Sequence, residues 1–235
     1  MSNAPKNVSE ASFQDRFVEK LKRFKWESPE ELDGTKRKVT TNDLINHWRS
    51  ELNRINVDQL ESVPLTDNEF NQVITQVNQI ANSFEAAKLL AMEGSKGKID
   101  GIYRDPDPRV TREQITLTIF KKAQVSGGDS SYTIAREVTT PNGNRFDLVL
   151  LINGLPLINI EQKRADKTLD EAYSQFKRYY QAGEYTLNFM AFSQMMVVTS
   201  EVATTSILKL VKGIIYSKSY LSRFPKIHRG IGNIL

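Results

Sequence analysis

Two apolar runs, residues 146–152 and 155–160, flank the dipeptide Asn153-Gly154. Each run is of strand length, and neither alternates with polar residues. A strand facing water on one side alternates; a strand covered on both faces does not. Asn-Gly is the strongest short-range signal for a tight hairpin. The pair therefore reads as two central strands of a sheet that needs a layer of structure on each side. Further strands are predicted at 114–120, 132–139 and 195–199, and a helix over 168–182 with Gly183 placed to end it. Strand, strand, strand, helix, strand is the order of an α/β fold.

The N-terminal part reads differently. Phe13, Phe17, Leu21 and Phe24 recur at helical spacing over residues 9–25. A polar stretch over 27–40 reads as a loop. Thr41 or Asn42 can cap a second helix to about Ile55, and Thr66 or Asp67 a third to about Ala81. Residues 83–92 form a short fourth helix before the breakers Gly94 to Gly97 and 105-DPDP-108. The scheme is a helical extension over 1–100, a core over 101–205, and a basic tail over 206–235. Residues 1–8 carry no structural signal, and Ser2-Asn3-Ala4 has the look of a cloning remnant.

Composition limits the chemistry. A hydrophobic content of 39% supports a full core, and no apolar run is long enough to span a bilayer. No secretory leader is read at the N-terminus and there is no cysteine, which fits a cytoplasmic protein. Without cysteine, and with His47 and His228 as the two histidines, a metal would be held by oxygen, which favours Mg²⁺ or Mn²⁺. The net charge of +4 is misleading. Six of the 32 basic residues and none of the 28 acidic ones lie from Val202 onward, so residues 1–201 hold 26 basic against 28 acidic residues, a net of −2. Nucleic-acid contacts would have to come from local patches rather than bulk charge.

The chemistry-bearing residues sit at the open end of the hairpin. Asp147 begins the first apolar run, and Glu161-Gln162-Lys163 ends the second. Two carboxylates can hold a divalent cation against a phosphate while leaving positions for water and substrate. The backbone carbonyl of Gln162 offers a third ligand. Lys163, two residues past Glu161, points to the same face of a strand and can neutralise charge on a reacting phosphate. This carries a geometric demand. With a two-residue turn and regular pairing, Ile152 faces Leu155, Asp147 faces Ile160, and the acids point to opposite faces. One extra residue is required, either in the loop with Gly154 in the left-handed region or as a bulge.

Gln175 and Tyr179 follow at helical i,i+4 spacing and share a face. Together, 145-RFDLVLLINGLPLINIEQKR-164 and 175-QFKRY-179 resemble the PD-(D/E)xK nuclease superfamily, in its RecB-like branch with the Gln-x-x-x-Tyr motif. More specifically, 148-LVLLINGLPLINIEQKRA-165 after Arg-Phe-Asp is similar to the N-terminal nuclease domain of type I restriction enzyme R subunits. The segments PLTDNEFNQV (residues 64–73) and 85-EAAKLL-90 look like that family's helical lead-in. The resemblance covers about residues 10–204.

The resemblance implies a restriction-endonuclease-like core, a central mixed sheet flanked by helices, with an N-terminal helical extension. It implies ATP-dependent cleavage of double-stranded DNA, in a complex with methyltransferase and specificity subunits and with no membrane association. Asp147 and Glu161 match the metal-binding acids, Lys163 the catalytic lysine, and Gln175 and Tyr179 the accessory motif. Phe146 stands where the family usually has proline. The ATP would be used by a motor that follows the nuclease. This chain has no G-x-x-x-x-G-K-[ST] loop, so no ATP site is read here, and it is expected to be a fragment whose acid-free tail is non-native or frame-shifted.

Several residues read two ways. Arg164, Lys167, Lys177 and Arg178 are DNA-phosphate contacts or a solvated face. Tyr179 either packs on the core and orients the lysine region or touches DNA. Glu10 or Glu19, on the first helix, would complete the metal site or are simply surface acids. His47 reads as a packing residue, and Asp129 and Asp166 as loop and cap residues. Competing readings of the whole chain are a repair nuclease or resolvase of the same superfamily, and a docking module with an unused site.

Overall fold

The computed structural model describes residues 9–91, 97–120, 130–163, 169–200, 204–210 and 213–216. Arg164, Lys167, Asp129, Asp166 and the tail beyond 216 lie outside the described residues. Four helices open the chain: α1 Glu10–Arg23, α2 Thr41–Ile55, α3 Asp67–Asn78 and α4 Ser83–Ala91. Their starts have local causes. The Ser9 hydroxyl accepts from the Ser12 N–H (3.2 Å) at α1. Thr66 and Glu69 form a reciprocal capping box at α3. At α2 the cap is Thr40, one residue earlier than predicted, because the Asp43 carboxylate reaches back to the Thr40 N–H (2.8 Å).

Strands β1 (Val39–Thr40), β4 (Tyr132–Thr139), β5 (Arg145–Ile152), β6 (Leu155–Lys163), β7 (Met195–Ser200), β8 (Thr204–Leu210) and β9 (Gly213–Tyr216) form one seven-stranded sheet in the order β1-β4-β5-β6-β7-β8-β9. β4, β5 and β6 are an antiparallel meander, while β6 and β7 are parallel. Parallel neighbours need a crossover, which α5 (Leu169–Gln181) lies within. Strands β2 (Lys98–Tyr103) and β3 (Gln114–Thr118) pair separately. The predicted loop over 27–40 holds a short 3₁₀ turn, Glu30–Leu32, and β1, and β2 was not anticipated between its flanking breakers.

β5 and β6 are buried along almost their whole length, as unbroken apolar runs require. Helices from the N-terminal part cover them: Phe17, Val18 and Leu21 of α1, and Leu44, Trp48 and Leu52 of α2, belong to the same core. Among the described residues no helix is long and apolar enough to cross a membrane.

The β5–β6 turn holds both Asn153 (φ 51) and Gly154 (φ 77) in the left-handed region, as a two-residue type I′ turn needs. A Cβ on Gly154 would lie 2.8 Å from the Trp48 Cα, so α2 passes directly over the turn. Gly154→Ala is expected to cost about 1–3 kcal/mol, from backbone strain and displacement of α2. Urea unfolding measures this, and a loss below about 0.5 kcal/mol would contradict the packing of α2 on the turn.

Candidate functional site

The hairpin register decides the site. Ile152 pairs with Leu155 and Leu151 with Pro156, but Leu150 pairs with Ile158 and Leu148 with Ile160. Leu157 is the extra residue of a bulge. Beyond the bulge the count has shifted by one, so the position across from Asp147 is Glu161 and both acids share a face. The required extra residue is therefore in the strand and not in the turn. Pro156 sits beside the bulge, one of the few places a central strand accommodates a residue with no N–H.

Asp147 is 8% exposed and Glu161 7%. The Gln162 N–H donates to Asp147 Oδ2 (2.7 Å), and Lys163 Nζ donates to Glu161 Oε1 (2.6 Å). In an extended strand a residue's N–H and C=O face the same neighbour, so the Gln162 carbonyl is directed to the Asp147 side. Burial raises the Asp147 carboxyl to about 6, against the opposing Gln162 hydrogen bond and Lys163 charge. Burial and then the Asp147 charge raise Glu161 to about 8, again against Lys163. Burial would lower the Lys163 ammonium, but the charge and hydrogen bond of Glu161 outweigh it and leave its pKa raised. Near neutral pH the pair thus retains a proton in the space between two acids and a lysine. A divalent cation is the natural replacement for it.

Helix α5 brings the remaining residues in. Lys163 Nζ donates also to Gln175 Oε1 (2.9 Å), whose Nε2 donates to the Tyr179 hydroxyl (3.1 Å). That hydroxyl donates to the Arg145 carbonyl (3.5 Å). The Tyr179 ring lies against Phe146 and Tyr185, and Phe146 stacks on Tyr185 at 4.7 Å. Tyr179 therefore packs on the core, and its hydroxyl is linked to Lys163 through Gln175. Gly183 (φ 80) ends α5, and the Glu184 N–H bonds the Tyr179 carbonyl (3.0 Å). The buried Glu184 carboxylate then accepts from Thr140 Oγ1 (2.9 Å) and Asn144 Nδ2 (2.6 Å), tying the end of α5 to the β4–β5 turn. Lys177 and Arg178 are exposed on α5.

Of the two glutamates on α1, Glu10 is near enough for its charge to raise both carboxyls, whereas Glu19 is an exposed partner of Lys22 (2.8 Å). Among the described residues no group of three or more metal-ligating side chains forms. The two carboxylates would be completed by backbone, water or phosphate oxygens, as suits Mg²⁺. His47 is half-buried against Thr133 Oγ1 (3.2 Å), with its pKa lowered by burial, in keeping with a packing role.

Sequence reasoning did not single out Gln14, Glu137 or Arg145. Gln14 is buried on α1, and its Nε2 reaches both Glu137 Oε1 (3.1 Å) and the Asp147 carbonyl (3.4 Å). Its only signal was a polar residue beside the apolar stripe of an amphipathic helix.

The chain matches the family described as "Type I restriction enzyme R protein N terminus" over residues 7–207. It is 29% identical over 172 residues to the type I restriction enzyme SauCOLORF180P endonuclease subunit of Staphylococcus aureus (strain COL), covering 71% of this chain and 17% of that protein. It is 29% identical over 163 residues to the SsaAORF53P endonuclease subunit of Staphylococcus saprophyticus, covering 68% and 16%. A shorter match, 33% over 83 residues, is to the EcoprrI endonuclease subunit of Escherichia coli, covering 35% and 22%. The chain spans less than a fifth of the length of the staphylococcal relatives. With the mixed sheet and its helical lead-in in place, the match over residues 7–207 makes this chain a member of the type I restriction enzyme R protein N-terminal family.

Proposed function

We propose that this chain is a metal-dependent endonuclease domain of the PD-(D/E)xK type that hydrolyses phosphodiester bonds of double-stranded DNA. The observation that carries the reading is the Leu157 bulge, which places Asp147 and Glu161 across from each other with Lys163 beside them. In the whole enzyme, cleavage would be coupled to ATP-driven translocation by a motor elsewhere in the R subunit, alongside methyltransferase and specificity subunits.

Each residue has a role in this reading. Asp147, Glu161 and the Gln162 carbonyl would hold Mg²⁺ or Mn²⁺. The bound cation would supply Lewis acidity and a water of lowered pKa. Lys163 neutralises charge that builds on the phosphate during attack. Gln175 fixes the lysine by accepting from Nζ, and Tyr179 fixes Gln175. The burial of both acids limits water around them and strengthens their pull on a cation.

The test is a crystal of this chain soaked in Mn²⁺, paired with calorimetric titration of the same cation. An anomalous peak between Asp147 and Glu161, and heat of binding that Asp147→Ala removes, are expected. Mn²⁺ binding that is unchanged in Asp147→Ala would overturn the reading.

A further inference from the structure

We propose that Arg145 is a phosphate-binding residue of this site, aimed by Glu137 at the DNA strand entering beside the two acids; the proposal rests on the nuclease reading. Arg145 lies two residues before Asp147 on β5, so the two side chains leave the same face of the sheet. Its side chain is 63% exposed, and its Nε donates to Glu137 Oε2 at 2.7 Å. That contact uses one edge of the guanidinium. The terminal nitrogens remain as the donor pair that matches phosphate oxygens.

The support behind this arginine is unusually extensive for a surface ion pair. Glu137 has φ 50, a left-handed backbone inside strand β4 where a non-glycine residue is strained. Such strain costs about 1–3 kcal/mol and persists only where the surroundings impose it. Here they do. The Gly34 N–H donates to the Arg136 carbonyl (3.0 Å), and a Cβ on Gly34 would sit 2.4 Å from that oxygen, so the loop is pressed against the kink. Gln14 Oε1 accepts twice from the buried Arg136 guanidinium (3.1 and 2.9 Å). Arg136 also meets Asp15 (2.5 Å) and Asp33 (3.7 Å). Gln14 Nε2 then holds Glu137 Oε1. An ion pair with one exposed partner contributes only about 0–1 kcal/mol, so the Arg136 network and not the Arg145 pair holds the bend. That network fixes the Glu137 carboxylate, which in turn gives Arg145 a fixed direction. The Arg145 backbone is held as well, by the Tyr179 hydroxyl on its carbonyl.

Ligand and test follow from this geometry. The partner is a DNA phosphate, bound without regard to base sequence. Binding of this chain to a short duplex is measured by fluorescence anisotropy over a range of KCl, with Ca²⁺ replacing Mg²⁺ to prevent cutting. Arg145→Gln is expected to weaken binding roughly tenfold and to lower the log-log salt slope by about 0.9. Arg145→Lys, which keeps the charge but not the fork, should retain the parent slope. Lys98→Gln, an equal charge change on the separate β2–β3 sheet, should leave the slope alone. If Arg145→Gln behaves like Lys98→Gln, the proposal is overturned. Mn²⁺ titration of the same proteins separates the two claims. Intact Mn²⁺ binding with an unchanged salt slope sinks the arginine alone, and loss of the nuclease reading would show as no Mn²⁺ binding in the parent.

Discussion

Glu161→Gln is expected to make the metal-free chain more stable than the parent at pH 8 and to abolish its stabilisation by Mn²⁺. Both acids titrate above their ordinary values in the folded protein, Asp147 at about 6 and Glu161 at about 8, against 3.8 and 4.5 for the free groups. The folded state therefore binds more protons than the unfolded one between about pH 4 and pH 8. Stability is full below that window and falls as pH rises through it. The two titrations are coupled, so their contributions do not add. A loss of about 3–5 kcal/mol is the scale, against a total of about 5–15 kcal/mol for a typical domain.

A neutral amide at position 161 still accepts from Lys163 but removes the second buried charge. Thermal melts from pH 5 to 8.5 should show the parent falling steeply and the variant much less, with a gap of about 5–10 °C at pH 8. Saturating Mn²⁺ should restore the parent alone, with apparent affinity rising from pH 6 to 8 as the retained proton is displaced. Equal pH dependence in the two proteins would mean the acids do not share a proton.

Lys163→Ala should separate binding from chemistry. The ammonium is hydrogen-bonded to Glu161 and Gln175 and lies at the edge of the acid pair. Its removal takes away the cation that meets charge on the reacting phosphate, a loss of about 10²–10³ in rate for a single donor in a preorganised site. It also removes the charge that holds Glu161 down, so Mn²⁺ binding should weaken at pH 7 and recover by pH 9. DNA cleavage by the assembled restriction enzyme should stay lost at both pH values. Cleavage that returned along with Mn²⁺ would reduce Lys163 to tuning the carboxylate. Gln175→Ala, which frees the ammonium without removing it, should lower activity less.

Much of the hairpin was legible locally. Unbroken apolar runs around Asn153-Gly154 specify two central strands and a tight turn, because burial and turn chemistry act over a few residues. The spacing from Asp147 to Glu161, Lys163, Gln175 and Tyr179 marked the residues that meet. Sequence alone also required one extra residue between the acids.

Other features were settled by packing. Periodicity does not say whether an extra residue enters the turn or the strand; α2 closed over Gly154 leaves the turn tight, and the bulge falls at Leu157. The Gln14–Glu137–Arg145 line joins residues more than 120 positions apart to a strained bend in β4, and no local pattern encodes a contact between α1 and β4. The raised carboxyls belong to the same category. Asp147 and Glu161 are ordinary acids in sequence, and only their burial in the folded chain removes the water that would keep them so.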